Sequence, residues 1–358
     1  MNPSFWHGKR VFLTGHTGFK GGWLTLWLEA LGAQVYGFAL PPPTEPNLFT
    51  EARVGQKLTG NTLGDLSDRA LLAAALHIAK PEIILHLAAQ ALVRHAYAHP
   101  VETYATNVMG TVHLLEAIRA CPSVRALINV TTDKCYENQD WTWGYREIDP
   151  LGGADPYSSS KACSELITAA YRRSFFDPAQ LGVATARAGN VIGGGDWAPD
   201  RLIPDAFRSL DSNTPLEIRA PHSIRPWQHV LEPLSGYLTL AENLYHDAAG
   251  FSGAWNFGPS DDGARSVEWI LEHLSRLESD LHWVKDTSPH PHEASTLTLD
   301  SSLSRQKLGW HPRWKLETAL EKTMDWHQAW RLGADMAAFT LEQIRSHSEI
   351  PSDTTRPA

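Results

Sequence analysis

Short apolar runs alternate with amphipathic stretches through the first half of the chain. RVFLTG, QVYGFAL, EIILHLAA, RALINVTT and GVATARAG each end in a turn and lead into a periodic segment. Runs that are apolar throughout mark strands buried on both faces, and their alternation with helices predicts an α/β fold on a doubly wound parallel sheet. The first periodic segment sets Trp23, Leu24, Trp27, Leu28 and Leu31 on one face at helical spacing, with Gly32 placed to end the helix. That face is expected to pack on the sheet. After Gly189 the texture changes to GGGDWAPDRLIP and PHSIRPWQHV, rich in Gly, Pro, Trp and Arg, which predicts ligand loops over the sheet's C-terminal edge. One more amphipathic helix is expected beyond about Trp330, and SHSEIPSDTTRPA has the composition of a frayed tail.

The 358 residues, 42% hydrophobic and 20% charged, suffice for one large domain and a smaller companion. A formal net charge of -9 offers no basic stripe for nucleic acid, so an anionic ligand must be held locally by a few arginines or helix ends. The three cysteines, Cys121, Cys135 and Cys163, lack CxxC spacing, which argues against a disulfide framework or a zinc site; no metal is expected. No apolar stretch reaches the roughly 18 residues of a membrane span, and the first strand follows too closely on the start to leave room for a signal peptide. A soluble cytoplasmic protein is expected.

GHTGFKG, from Gly15 to Gly21, stands between a strand and a helix, where glycines let backbone amides approach a pyrophosphate at a helix N-terminus. Its GxxGxxG spacing resembles the extended short-chain dehydrogenase/reductase family, which implies a Rossmann-type sheet with a smaller, mostly C-terminal substrate region. The division expected is 1–188 for the dinucleotide domain, 189–345 mainly for the sugar nucleotide with some return to the sheet, and 346–358 for the tail. The resemblance implies cofactor contacts from Gly15, Thr17, Gly18, Phe19, Lys20 and Gly21, from Asp65 and Leu66 after the third strand, and from Leu87, Ala88 and Ala89 after the fourth. Lys20 reads either as a point charge on cofactor phosphate or as a solvated lysine. The second strand ends in Phe38, Ala39 and Leu40, without the acidic residue that usually takes the adenosine ribose. The residues therefore leave NAD and NADP both open, and the resemblance implies NAD.

Tyr157 and Lys161 form YxxxK in DPYSSSKA, where Pro156 suits a first helical position and the spacing puts both side chains on one face. A phenol with a pKa of about 10 is a poor base at neutral pH, and a nearby cation together with a positive nicotinamide is expected to lower it. By resemblance both also touch the cofactor, and Thr132 hydrogen-bonds the reacting sugar hydroxyl. Asp133 and Lys134 exceed what hydride transfer requires. Elimination of water across C5 and C6 of a hexose needs a base and an acid beside an oxidised C4. TTDKCYEN, with Lys where related dehydratases carry Glu, resembles the CDP-glucose branch of the sugar-nucleotide 4,6-dehydratases. A lysine serving as base must be neutral, so its pKa is expected to be depressed from about 10.4.

The resemblance runs from GHTGFKGGWL to RPWQHVLEP. It implies that Asn190 and Arg225 hold the substrate diphosphate, that Arg201 and Trp227 lie around the nucleotide, and that Asn107 in TNVMGT organises the active-site strand and helix. Arg187 reads as a structural alternative among the arginines. The activity implied is dehydration of CDP-glucose by transient oxidation at C4, in a homodimer paired through helices flanking YxxxK. Alternatives are a 4-epimerase of the same fold, against which Asp133 and Lys134 argue, a dehydratase of another nucleotide hexose, and a non-catalytic cofactor-sensing regulator, which intact Tyr157 and Lys161 disfavour.

Overall fold

The computed structural model describes residues 2–260, 263–286 and 297–349. Its strands are β1 (Arg10–Thr14), β2 (Gln34–Ala39), β3 (Gly60–Leu63), β4 (Ile83–His86), β5 (Ala126–Val130), β6 (Gly182–Ala188), β7 (Asn190–Ile192), β8 (Leu216–Ile218), β9 (Ile224–His229), β10 (Gly253–Phe257), β11 (Ala264–Ser266) and β12 (Trp283–Lys285). The helices of six residues or more are α1 (Phe19–Ala30), α2 (Arg69–Ala79), α3 (Val93–Ala98), α4 (Gly110–Arg119), α5 (Pro156–Ser174), α6 (Leu202–Ser212), α7 (Leu231–His246), α8 (Val267–Leu277), α9 (Ser302–Leu308), α10 (Leu316–Arg331) and α11 (Met336–Glu349).

Seven strands form one sheet in the order β10-β6-β5-β4-β1-β2-β3, and every pairing within it is parallel. The chain winds outward from β1 to β3, crosses back to β4 and continues the other way. This leaves a crevice at the C-terminal ends of β1 and β4, where doubly wound sheets bind ligands. Past Ala188 the chain builds a three-stranded sheet, β11-β9-β7, and a short β12-β8 pair, with β10 returning to the edge of the main sheet.

The apolar runs lie where their pattern requires: β4, β5 and β6 are buried at every position. Helix α1 departs from expectation. Every residue from Gly21 to Leu28 is buried, not one face alone. One side meets the sheet, and the other is covered from the far end of the chain. Trp23 Nε1 donates to the Gly194 carbonyl at 2.9 Å, and the Trp27 indole packs edge-on against His347 of α11, 5.8 Å between centroids. His347 is fully buried and bonds Glu232 at 3.0 Å, while Glu232 also accepts the Arg313 and Trp314 amides at 2.9 and 2.8 Å. The start of the expected frayed tail is thus a docked helix, because burying His347 and satisfying the sealed Glu232 carboxylate outweigh the polar composition of the segment. The rest of that tail, 350–358, lies outside the described residues. Among the described residues no helix is long and apolar enough to cross a membrane, and no group of His, Cys, Asp or Glu could hold a metal.

Candidate active site

The glycine loop turns at Gly15, whose φ of +79° is left-handed and whose absent Cβ would sit 2.7 Å from the Ala88 amide. A side chain there would push apart the loops that follow β1 and β4. Thr14 ties them together, its hydroxyl accepting the Leu87 and Ala88 amides at 3.1 Å each. A Cβ on Gly21 would lie 2.0 Å from the Gly15 carbonyl, so helix and turn also touch. Gly18 caps α1 with no side-chain acceptor, leaving the first-turn amides for a ligand. Thr17 is buried and donates to the Leu40 carbonyl at 2.8 Å, and Phe19 lies half-buried against the Gly193 turn. This arrangement fits a dinucleotide pyrophosphate. Asp65 is exposed and accepts the Ser67 amide at 2.7 Å, while Leu66 packs beneath Gly110. At the end of β2 no carboxylate appears. Instead His16, sealed beneath Gly37, bonds Asn61 at 2.9 Å, a pair that nothing in the local sequence signalled.

Lys20 does not lie free in solvent. Burial, with Arg201 and Lys161 adding to it, holds its ammonium down to about 8 against the pull of Asp133 and Asp196. It therefore stands between the glycine loop and Lys161, Arg201 and Asp133, as a cation suited to an anionic ligand.

Helix α5 begins where Asp155 accepts the Tyr157 and Ser158 amides at 2.9 and 3.0 Å, behind Pro156 at its first turn. That cap fixes Tyr157 and Lys161 one turn apart, both buried. The Lys161 ammonium donates to the Val130 carbonyl at 3.0 Å, and burial lowers it to about 8 against Glu165 and Cys135. Burial also pushes the Tyr157 phenol up to about 12, although a hydrogen bond with Thr132 and the charge of Arg201 pull it down. Among the chain's own groups desolvation is thus the dominant influence on this phenol, and the lowering expected of it includes the positive nicotinamide.

A short turn, Asp133–Cys135, carries the remaining groups at the end of β5, with Thr132 as its cap accepting the Lys134 amide at 3.3 Å. Thr132 also donates to Asp133 Oδ1 at 3.0 Å, while Asp133 Oδ2 is buried without a partner. Lys134 is half-buried, and among the described residues no carboxylate pairs with it. Behind the site, Glu165 grips Arg187 through two bonds of 2.9 and 2.8 Å, and Thr131 and Thr185 donate to the same carboxylate at 2.5 and 2.6 Å. Burial opposes that charge, but these bonds and the guanidinium hold Glu165 below the usual carboxylate range. Arg187 is therefore a strut under the sheet. Asn107 is buried in a π-helical turn, Ala105–Met109, where it accepts the Gln90 amide at 2.8 Å and donates to the Gln90 carbonyl and Ser160, each at 2.9 Å.

On the C-terminal side, Arg201 donates to Asp196 at 2.8 Å, and its charge reaches Tyr157 and Lys20. Asn190 heads β7 beside β9, which carries buried Arg225, donor to the Ile224 carbonyl at 2.8 Å. Trp227 faces inward, packed with Ile203 and Leu316, its indole nitrogen donating to the Arg265 carbonyl at 3.0 Å. Asp196, in the glycine-rich turn, was not signalled by any spacing.

A doubly wound sheet with a glycine turn at its crevice and a Thr–Tyr–Lys set at the adjoining strand end defines an extended short-chain dehydrogenase/reductase. The chain belongs to the GDP-mannose 4,6 dehydratase family, whose sequence profile matches residues 12–323. It is 52% identical to a CDP-glucose 4,6-dehydratase of Salmonella typhimurium over 99% of this chain and 100% of the relative. A dTDP-glucose 4,6-dehydratase of Xanthomonas campestris pv. campestris is 28% identical over 93% of this chain and 97% of its own. Among solved structures, a UDP-glucose-4-epimerase of Stenotrophomonas maltophila with bound NAD superposes with a TM-score of 0.79 at 21% identity, covering 91% of this chain and all of that one. A dTDP-glucose 4,6-dehydratase of Bacillus anthracis in complex with NAD gives 0.74 at 23% identity, covering 90% and 97%. At these identities the structures establish the shared fold.

Proposed function

We propose that the chain dehydrates CDP-D-glucose to CDP-4-dehydro-6-deoxy-D-glucose with NAD as a transient hydride carrier. The observation that carries this reading is the Asp133 carboxylate, 1% exposed, with one oxygen bonded to Thr132 and the other unpartnered. A buried, unsatisfied carboxylate is costly, and hydride transfer alone has no use for it. An elimination does. The choice of CDP-glucose is supported by the relative of that name at 52% identity.

When bound, the cofactor would supply a positive ring and a reversible store for the hydride that leaves C4 and is needed at C6, so that no net redox results. Tyr157, oriented by Thr132, takes the proton of the C4 hydroxyl. The ketone formed at C4 acidifies C5, and Lys134 removes the C5 proton, which as an ammonium it gives back to C5 once C6 has received its hydride. Asp133 delivers a proton to the departing C6 hydroxyl, which leaves as water. Lys161 holds the phenolate by charge, and Lys20, Arg201, Asn190 and Arg225 offer their donors to the phosphates.

The reading extends to a cytoplasmic homodimer. The three unpaired cysteines support a reducing compartment, and an apolar patch on the outer face of α5 supports pairing. The test is incubation with NAD and, separately, CDP-, dTDP- and UDP-glucose, following the 4-keto product by its alkaline absorbance and the loss of water by mass. Turnover of CDP-glucose is expected, and Asp133→Asn or Lys134→Ala should slow it roughly 10²- to 10⁴-fold while leaving CDP binding intact. An equal-mass isomer would make the protein an epimerase, and cofactor binding without turnover of any sugar would make it a regulator.

A further inference from the structure

We propose that Asp200 is a positioning residue that straps the two halves of the substrate cleft together by bridging Arg94 and Arg219. Its Oδ1 lies 3.2 Å from Arg94 Nη1 and 3.9 Å from Arg219 Nη2. Arg94 belongs to α3, just past the β4 loop of the dinucleotide half, and Arg219 to the turn between β8 and β9 in the C-terminal half. Among the described residues the salt bridges of both arginines run to this one carboxylate. Asp200 precedes Arg201, which bonds Asp196 at 2.8 Å, so the bridge is held by the same loop that presents Arg201. Its backbone supports a dedicated role: φ is +60°, a left-handed conformation that L side chains adopt at a steric cost and that Asp and Asn tolerate best. Arg219 also borders an open cavity of about 260 Å³ with Ser223 and Lys285, so it has room to move when the bridge breaks.

The inference rests on the dehydratase reading and gives the strap its task. After C4 is oxidised, the keto nucleotide must stay bound until hydride returns at C6. Each molecule that escapes early leaves one equivalent of reduced nicotinamide behind, so the electrons balance one for one. A rim closed by charge lowers the escape rate. The side chains are only partly sheltered, at 45%, 38% and 25% exposed, which sets the expected effect at a few-fold for each bridge.

Asp200→Asn keeps the side-chain volume and the left-handed backbone while removing the charge. During turnover the variant should accumulate reduced nicotinamide, matched by released keto nucleotide, roughly two- to fivefold faster than the wild type. CDP should dissociate faster by a similar factor, and the salt dependence of that rate, present in the wild type, should flatten. Arg94→Gln should reproduce both effects without adding to Asp200→Asn. Unchanged partitioning with unchanged salt dependence would overturn the strap, as would a lower melting temperature with neither effect. If the wild type forms no keto product, the dehydratase reading fails instead, and the CDP dissociation rates alone decide whether the strap exists.

Discussion

At the scale of single residues, Lys161 shows how the site is held against the interest of the fold. Its ammonium is buried and lowered from 10.5 to about 8, so folding disfavours its charged form. Below pH 8 it is charged in both states and the full penalty applies. Between about 8 and 10.5 the unfolded chain binds the proton and the folded chain does not, so stability rises with pH through this window; above it the penalty is gone. Lys161→Met removes the group. In urea at pH 7 the variant should be the more stable protein, by on the order of 1–3 kcal/mol, with that advantage shrinking toward zero by about pH 10.5. Activity should fall at least roughly 100-fold. An advantage that stays constant with pH would show that burial of the charge is not its source. The raised phenol of Tyr157 belongs to the same pattern of groups kept in uncomfortable states where chemistry needs them.

At the scale of elements, the π-helical turn at Ala105–Met109 is an irregularity with a structural consequence, since it aims Asn107 at the β4 loop on one side and at α5 on the other. Asn107→Ala should leave the Gln90 amide and carbonyl and the Ser160 hydroxyl without this partner, at a cost of about 1–3 kcal/mol, and let α5 shift against the strand ends. The expected kinetic sign is a lower kcat with little change in KM, read from steady-state rates, because what moves is Tyr157 and not the nucleotide's ligands. A purely structural asparagine would lower stability and leave kcat per folded molecule untouched. The contrast with the regular elements explains what sequence could reveal. Strands β1, β4, β5 and β6, the turn at Gly15 and the Tyr157–Lys161 pair are local patterns with a fixed period or spacing, and they were legible. The π turn, the inward rotation of Trp227 and the all-round burial of α1 depend on partners far along the chain, such as Arg265 for Trp227 and His347 for Trp27. No window of sequence contains both members of such a pair. Asp196 and Asp200 were hidden likewise, within a segment recognisable only as loop.

At the scale of the whole molecule, α5 carries Tyr157 and Lys161 on one face and exposes an apolar side chain on the opposite one. Leu166 is 58% exposed there, and Ser159, two turns earlier, bonds Tyr104 at 2.6 Å. That bond holds the Pro100–Tyr104 helix alongside α5, and Val101, 82% exposed, with partly exposed Tyr104 and Met109, adds apolar side chains on this adjoining segment. Isolated exposed apolar residues are ordinary, but a run of them across adjoining helices is the surface the proposed homodimer would use. A second copy is the natural partner, because two-fold pairing lets one patch meet itself. Pairing α5 with its symmetry mate would also stiffen the helix that bears Tyr157 and Lys161, which links assembly to catalysis. The wild type should therefore sediment as a dimer, with little response to salt, since the contact is apolar rather than charged. Leu166→Glu combined with Val101→Asp would place four carboxylates at the interface and should yield monomers of lowered kcat that still bind CDP. A monomeric wild type, or a double variant that remains dimeric, would move the interface away from α5 and leave the exposed leucine without this explanation.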